Sequence, residues 1–202
     1  MRQYTSPLLK RGIEGGGLSV LTNIQSMQTF IARLGGLALL ITINLASATN
    51  LPEDLTRDVK GLSVRGEAVL RIFGLKVYDV RLWTQMKPFT HGEPFAIELE
   101  YDMAIKGKDI ADRSVKEMRA QGFSDEAKLR RWGDEMTKIF PDIKHGDSLI
   151  GVSIPTKEAR FYNREKLIAT IADPEFAKVF FDIWLSEKTS HPKVRLKLLG
   201  SP

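Results

Sequence analysis

The order of the secondary-structure patterns along the chain predicts an α+β fold, in which a large antiparallel sheet carries helices packed on one face. Residues 66–83 form a long run rich in apolar, β-branched and aromatic side chains, which is typical of strands. Two helical patterns follow in the middle of the chain, and two more strand patterns and a final helix come after them. Strands that are grouped apart from helices favour α+β over a parallel α/β sheet.

The strand patterns differ in how they are expected to be buried. Residues 66–83 are long enough for one bent strand or for two strands. Residues 95–103 alternate apolar and polar side chains, which predicts a strand with one wet face carrying Glu98 and Glu100. Residues 148–171 predict a hairpin or meander.

The helices are bounded by residues that start or stop helices. The first helix is predicted to end near Gly122, and the second to begin at Ser124 as its N-cap and to end at Pro141. Asp173 is predicted to cap the last helix, because Pro174 follows it at the first helical position.

The N-terminal part predicts export. Within residues 27–48, Arg33 precedes a 12-residue, mostly apolar run and a small-residue exit that ends at Ala48. These features are typical of a secretory signal peptide cleaved after Ala48. The run is shorter than the roughly 20 residues that a membrane-spanning helix needs, and the alternative is an uncleaved N-terminal anchor. We therefore predict an N-terminal extension, 1–48, and a single domain, 49–202, that is periplasmic or secreted.

Composition excludes several function classes. The chain carries a formal net charge of +5, but residues 49–202 hold 26 Lys and Arg against 24 Asp and Glu. This near-balance argues against nucleic acid as a partner. There is no cysteine, so disulfides and thiol chemistry are excluded. The three histidines, His91, His145 and His191, lack metal-ligand spacing and are expected in surface loops, and no cofactor is expected.

Four cations inside the first strand region need an explanation, since a strand buried on one face rarely carries charge there. With a period of two, Arg71 shares one face with Phe73, Leu75 and Val77, and Lys76 shares the other with Leu70, Ile72 and Tyr78; Arg65 and Arg81 complete the set. Neither face is cleanly polar. The cations either point to solvent, or an arginine lies at the end of an apolar cleft and binds a carboxylate or phenolate.

Two groups of motifs resemble the bacterial chalcone isomerase-like proteins, and the likeness covers about residues 55–200. The first group opens the predicted domain and the second closes it. The opening residues are Gly66, Val69-Leu70-Arg71, Phe73, Lys76-Val77-Tyr78 and Leu82-Trp83, and the closing residues are Ile171 to Ala177, Phe180 to Leu185 and Leu198-Leu199-Gly200.

This resemblance implies an open-faced β-sandwich with a cleft between sheet and helices. Plant enzymes of the superfamily cyclise a chalcone there, and non-enzymatic relatives bind fatty acids through an Arg and a Tyr. It implies a ligand site here in which Arg71, or Arg65, pairs with the head group, Tyr78 donates a second hydrogen bond, and Lys76 lies nearby.

The same resemblance argues against catalysis. An ungapped match places Arg65 at the plant enzymes' Arg, but Val77 at their strand Thr, Ile110 at their Tyr and Glu117 at their Asn. Valine and isoleucine cannot donate hydrogen bonds to a developing enolate. We therefore predict an exported, non-catalytic binder of a small amphipathic anion such as a fatty acid. The alternatives are an isomerase or lyase acting on a hydrophobic carbonyl compound, and a structural or interaction module of the cell envelope.

Overall fold

The structure, a computed structural model, describes residues 51–85 and 88–200. The predicted signal peptide and its cleavage after Ala48 lie outside these residues. Among the described residues, no helix combines the length and apolarity needed to cross a membrane. In chain order the elements are α1 Glu53–Asp58, β1 Ser63–Ile72, β2 Leu75–Thr84, β3 Phe95–Tyr101, α2 Gly107–Ala120, α3 Glu126–Ile139, β4 Ser148–Ile154, β5 Glu158–Tyr162, β6 Leu167–Ile171, α4 Pro174–Leu185 and α5 Pro192–Leu198.

The strands form one six-stranded antiparallel sheet whose spatial order follows the chain order, β1 to β6. This confirms the predicted α+β class. The long run at 66–83 is two strands, because Phe73 and Gly74 form a two-residue loop between Ile72 and Leu75. Both loop residues have positive φ, as the tight hairpin turn that matches strand twist requires.

The main core lies between one face of the sheet and helices α2 to α5. Apolar residues of alternate strand positions, such as Leu82, Ile97 and Phe161, pack there against Trp132 and Phe176. Aromatic rings dominate the contact with α4 and meet mostly edge to face, which suits their quadrupoles.

Helix α1, which the sequence analysis did not predict, covers part of the opposite face. Leu51, Leu55 and Val59 pack there on Trp83 and Ile150. The other four helices share the first face, where the sequence predicts α2, α3 and α4 but not α5. The sheet is therefore covered in part on its second face by a helix of only six residues.

The predicted wet face of β3 is wrong at Glu98, whose exposed fraction is only 2%. The indole Nε1 of Trp83 donates to Glu98 Oε2 at 3.1 Å. Arg81, directly across on β2, places Nη1 at 3.6 Å from the same oxygen, and Arg164 Nη2 lies 3.8 Å from Oε1. Partners from β2 and from the loop after β5 thus balance the charge of the Glu98 carboxylate and also shield it from solvent.

Of the two N-caps that the sequence predicts, one is confirmed and the other is wrong by one residue. Asp173 accepts hydrogen bonds from the backbone N–H groups of Glu175 and Phe176, which confirms it as the N-cap of α4. The N-cap of α3 is Asp125 rather than the predicted Ser124, since the Asp125 carboxylate accepts from the Lys128 N–H. Both residues are good caps, so local preference does not distinguish them.

Candidate functional site

An apolar cavity of about 130 Å³ lies between the inner face of the sheet and helices α2 and α4. The strands supply most of its apolar wall, and the helices supply both apolar and polar side chains. The apolar wall includes Leu70, Ile72, Val77, Leu99, Ile110 and Phe180. Polar groups from Tyr78, Arg113, Ser114, Glu117, Trp184 and His191 also line it, so the cavity has the mixed lining typical of ligand sites.

Tyr78 and Trp184 form the polar contact between sheet and helix at this cavity. Trp184 Nε1 donates to the Tyr78 hydroxyl at 3.2 Å, and the ring of Tyr101 meets that of Tyr78 at 5.5 Å, edge to face. Burial raises the pKa of Tyr78 to about 12 and also raises the pKa of Tyr101. Both phenols are therefore neutral at pH 7. Because the Tyr78 oxygen is the acceptor in this bond, its own proton is available to a ligand.

Helix α2 contributes an ion pair to the cavity. Arg113 Nε donates to Glu117 Oε1 at 2.8 Å, and Ser190 Oγ donates to Glu117 Oε2 at 2.6 Å. Glu117 is 7% exposed, so its charge is compensated mainly by Arg113. Burial lowers the pKa of His191, against the opposite effect of Glu117, so this imidazole is neutral at pH 7. Asp109 also lines the cavity, which therefore carries one cation and two carboxylates.

Among the residues singled out in the sequence, Tyr78 lines the cavity, whereas Arg71 and Lys76 do not. Arg71 is exposed beside the hairpin turn, where its Nη1 donates to the Gly74 carbonyl oxygen at 3.3 Å. Lys76 Nζ pairs with Asp79 at 2.8 Å and Asp102 at 3.3 Å, and these bonds raise its pKa.

Arg65, the other arginine considered for the head group, contacts the C-terminal helix instead. Its Nη2 donates to the Leu199 carbonyl oxygen at 2.6 Å. A cation at this position satisfies an otherwise free carbonyl at the C-terminal end of α5 and suits the helix dipole. The neighbouring Gly66 touches the same helix, so this part of the opening motif anchors α5.

Of the four residues matched to the plant enzymes' polar positions, Val77, Ile110 and Glu117 line the cavity, whereas Arg65 does not. Phe73 and Leu75, which a period of two places on one face with Val77, are instead 102% and 70% exposed and lie at the end of the β1–β2 hairpin. Their placement follows from the turn at Phe73-Gly74, which a period-two pattern through 66–83 ignores.

The sequence analysis missed Arg113, Trp184 and His191, and expected His191 in a surface loop. Ile110, Arg113 and Glu117 lie three and four residues apart, so helical spacing alone puts them on one face of α2. That spacing could have identified Arg113. Within 51–85 and 88–200, no group of three or more His, Asp or Glu residues is arranged to hold a metal ion.

Comparisons with known proteins agree with this fold. The family model described as chalcone isomerase-like matches residues 45–200. An uncharacterized protein of Haemophilus influenzae is 26% identical over 125 residues, and this alignment spans 61% of this chain and 61% of that protein's length.

A solved structure, the fatty-acid-binding protein AtFAP1 of Arabidopsis thaliana, superposes with a TM-score of 0.55 at 10% identity, covering 69% of this chain and 87% of that one. At this identity the likeness shows the fold alone. The family model, in contrast, covers most of the chain, and its span includes every strand and helix that surrounds the cavity. The chain belongs to the chalcone isomerase-like family.

Proposed function

We propose that this protein binds a small amphipathic molecule, such as a medium-chain fatty acid, in the cavity between sheet and helices, and that it does so without catalysis. The observation that carries this proposal is the lining of the cavity, in which a mostly apolar wall is joined by Tyr78, Arg113 and a few other polar groups. The solved structure of a fatty-acid-binding protein with the same fold supports it.

The size of the cavity limits the ligand. Its volume of about 130 Å³ is below the roughly 300 Å³ at the lower end of ligand pockets. A long chain would therefore have to displace side chains of the wall or extend outside. Each methylene that is buried contributes about 0.8 kcal/mol, so even a partly buried medium-length chain gains several kcal/mol.

Arg113 and Tyr78 are the groups that would hold the head group. Arg113 is the one permanent cation among the described residues that line the cavity. A charged hydrogen bond of this kind contributes about 1.5–3 kcal/mol. Tyr78 can donate a second bond from its neutral hydroxyl. Glu117 opposes an anionic ligand because it occupies Arg113 and carries a like charge.

The absence of catalysis is proposed from the cavity lining itself. Val77 and Ile110 stand where the plant enzymes have hydrogen-bond donors, and both face the cavity. Loss of one such donor costs about 10²–10³ in rate. We expect no turnover of a chalcone, and measurable turnover that falls in the Arg113→Ala variant would overturn this part of the proposal.

The binding proposal is tested by mass spectrometry of lipids that copurify with the protein and by the thermal shift with decanoic acid. Ile110→Phe should fill the cavity and abolish both signals. Ile139→Phe is the matched control, because Ile139 is also partly buried against the core but lies on α3 and does not line the cavity. If no lipid copurifies and no fatty acid shifts the melting temperature, the proposal fails.

We also propose that the chain is exported and that its domain begins after Ala48, on the sequence of residues 27–48. N-terminal sequencing of protein recovered from the producing cell tests this directly. A mature chain beginning at Thr49 is expected. An intact N-terminus on membrane-bound protein would favour the uncleaved anchor instead.

A further inference from the structure

The tip of the β1–β2 hairpin exposes two large apolar side chains that belong to neither core of the described residues. Phe73 is 102% exposed and Leu75 is 70% exposed. An exposed apolar residue is common singly, but two adjacent to one turn make a protruding apolar point. We name the segment Arg71–Lys76 the hairpin tip.

The backbone at the hairpin tip makes Phe73 still more unusual. Its φ is +50°, in the left-handed region that bulky side chains rarely adopt. The loop Phe73-Gly74 has positive φ at both positions, where Asn-Gly is the preferred pair. Phe73 therefore costs stability through both backbone strain and exposure, and no packing within the described residues offsets it. Strain that the fold does not need points to a function.

The charges of the hairpin tip distinguish its two cations. Lys76 is neutralised by Asp79 and Asp102. Arg71, in contrast, has no ion pair within the part of the chain that the structure describes, and bonds only the carbonyl of its own turn. A guanidinium that is free for anions thus lies next to the two exposed apolar side chains. This combination suits the interface of a bilayer, where apolar groups enter and cations meet phosphate.

The size of the hairpin tip favours a lipid surface over a protein. A specific protein–protein interface needs about 1,000 Å² of buried surface, which a two-residue point cannot supply. A fluid bilayer, in contrast, can accept two apolar side chains without a preformed complementary surface. The tip also adjoins the cavity, since Ile72 and Val77 line that cavity on either side of the turn.

We propose that the hairpin tip docks on a lipid bilayer by inserting Phe73 and Leu75 into the interface, with Arg71 at the level of anionic head groups. The proposal does not depend on a ligand entering the cavity. If the protein both docks on a bilayer and binds a ligand in its cavity, docking brings the cavity next to the membrane.

The test uses the full chain in two single variants, Phe73→Trp and Leu196→Trp, with vesicles of phosphatidylcholine and phosphatidylglycerol that carry brominated chains. Leu196 is a matched control because it is also apolar and 42% exposed, but lies on α5. The native tryptophans Trp83, Trp132 and Trp184 are buried, so they emit alike in both variants, and the difference between the variants reports the added Trp. The bromines should quench Trp at position 73 and shift its emission to the blue, and should leave Trp at position 196 unchanged. Since both proteins keep residues 1–50, any binding by that segment affects them equally.

A second variant separates docking from folding. Phe73→Asn places the preferred residue in the turn, so it should raise the melting temperature while weakening vesicle partitioning by about tenfold, the effect of one buried aromatic side chain. Equal quenching at positions 73 and 196 would overturn the proposal. A blue shift at position 73 without vesicles, growing with protein concentration, would also overturn it and indicate self-association.

Discussion

The hydroxyl of Tyr78 shows how one atom can serve both the fold and the site. It accepts the indole N–H of Trp184 at 3.2 Å and so joins β2 to α4, yet it also faces the cavity. The Glu117 carboxylate also has two roles, because it accepts hydrogen bonds from Arg113 and Ser190 and at the same time lines the cavity. Substitutions at these two residues therefore separate stability from binding.

Tyr78→Phe is expected to lower the free energy of unfolding by about 1–3 kcal/mol at pH 7, because the buried Trp184 N–H loses its acceptor. The folded-state pKa of Tyr78, about 12, lies above its usual value of 10.0. Its contribution is therefore fully present below pH 10 and is lost as the pH rises toward 12. Urea denaturation between pH 7 and 11.5 should show a shallower alkaline loss in the variant than in the native protein.

The control for the loss of stability at pH 7 is Tyr101→Phe. Tyr101 is also buried beside the cavity, but no hydrogen bond of its hydroxyl is found among the described residues. The Tyr101→Phe variant should therefore lose less stability at pH 7 than Tyr78→Phe does. Equal losses for the two variants would contradict a specific role for the Tyr78–Trp184 bond.

Glu117→Gln is expected to tighten the binding of decanoate by about tenfold, because Arg113 is released and a like charge is removed from the cavity. Titration calorimetry measures this directly. Binding of decanol, which carries no charge, should change much less.

Glu187→Gln is the matched control, since Glu187 is a surface carboxylate that pairs with Arg195 instead. Weaker binding of decanoate by Glu117→Gln would show that the carboxylate supports the head group rather than opposing it.

Among the secondary-structure elements, β1 and α5 bring parts of the two motif groups of the sequence into contact. Gly66 of β1 lies against the last turn of α5, where an added Cβ would come within 2.2 Å of the Lys197 carbonyl oxygen and 2.5 Å of that of Leu198. Arg65 bonds the Leu199 carbonyl beside it. The glycine is needed because two backbones approach closely there.

Gly66→Ala is therefore expected to lower the free energy of unfolding by roughly 3 kcal/mol, since backbone must move to admit the methyl group. Urea denaturation followed by circular dichroism measures the effect. Gly92→Ala is the control, because its nearest contact is the Thr90 hydroxyl at 3.3 Å, and it should change stability little. A near-neutral Gly66→Ala would mean that α5 shifts without cost.

In the described molecule as a whole, four helices cover one face of the sheet and a single short helix covers part of the other. The larger core joins the sheet to α2–α5, whereas the smaller one rests on Leu51, Leu55 and Val59. The smaller core thus depends on the residues just after position 50, which lie within the family match at residues 45–200.

Two truncated chains test that need. A chain beginning at Thr49 should melt at the same temperature as the full chain. A chain beginning at Leu62 loses the three apolar residues that cover Trp83 and Ile150, each of which contributes about 1.5–3 kcal/mol when buried. It should therefore melt well below the first, as differential scanning calorimetry would show. Equal melting temperatures for the two truncated chains would mean that α1 adds nothing to the fold.

Periodicity, helix caps and the two motif groups were enough to predict the α+β class, the antiparallel sheet, the helices α2, α3 and α4, and the family. These features depend on neighbours close in sequence, so they can be recognised without coordinates. The resemblance matched Val77, Ile110 and Glu117 to the plant enzymes' Thr, Tyr and Asn, and these three residues line the cavity, whereas Arg65, matched in the same way, does not.

Which charged groups line the cavity, and which are buried, could not be predicted without the three-dimensional arrangement of the chain. A bulge and a two-residue turn carry Arg71 to an exposed tip, while α2 brings Arg113 to the cavity wall. Glu98 is buried because Arg81, Trp83 and Arg164 arrive from other strands and a loop. The physical reason is that the cost of burying a charge depends on partners in space, and these partners are distant in sequence.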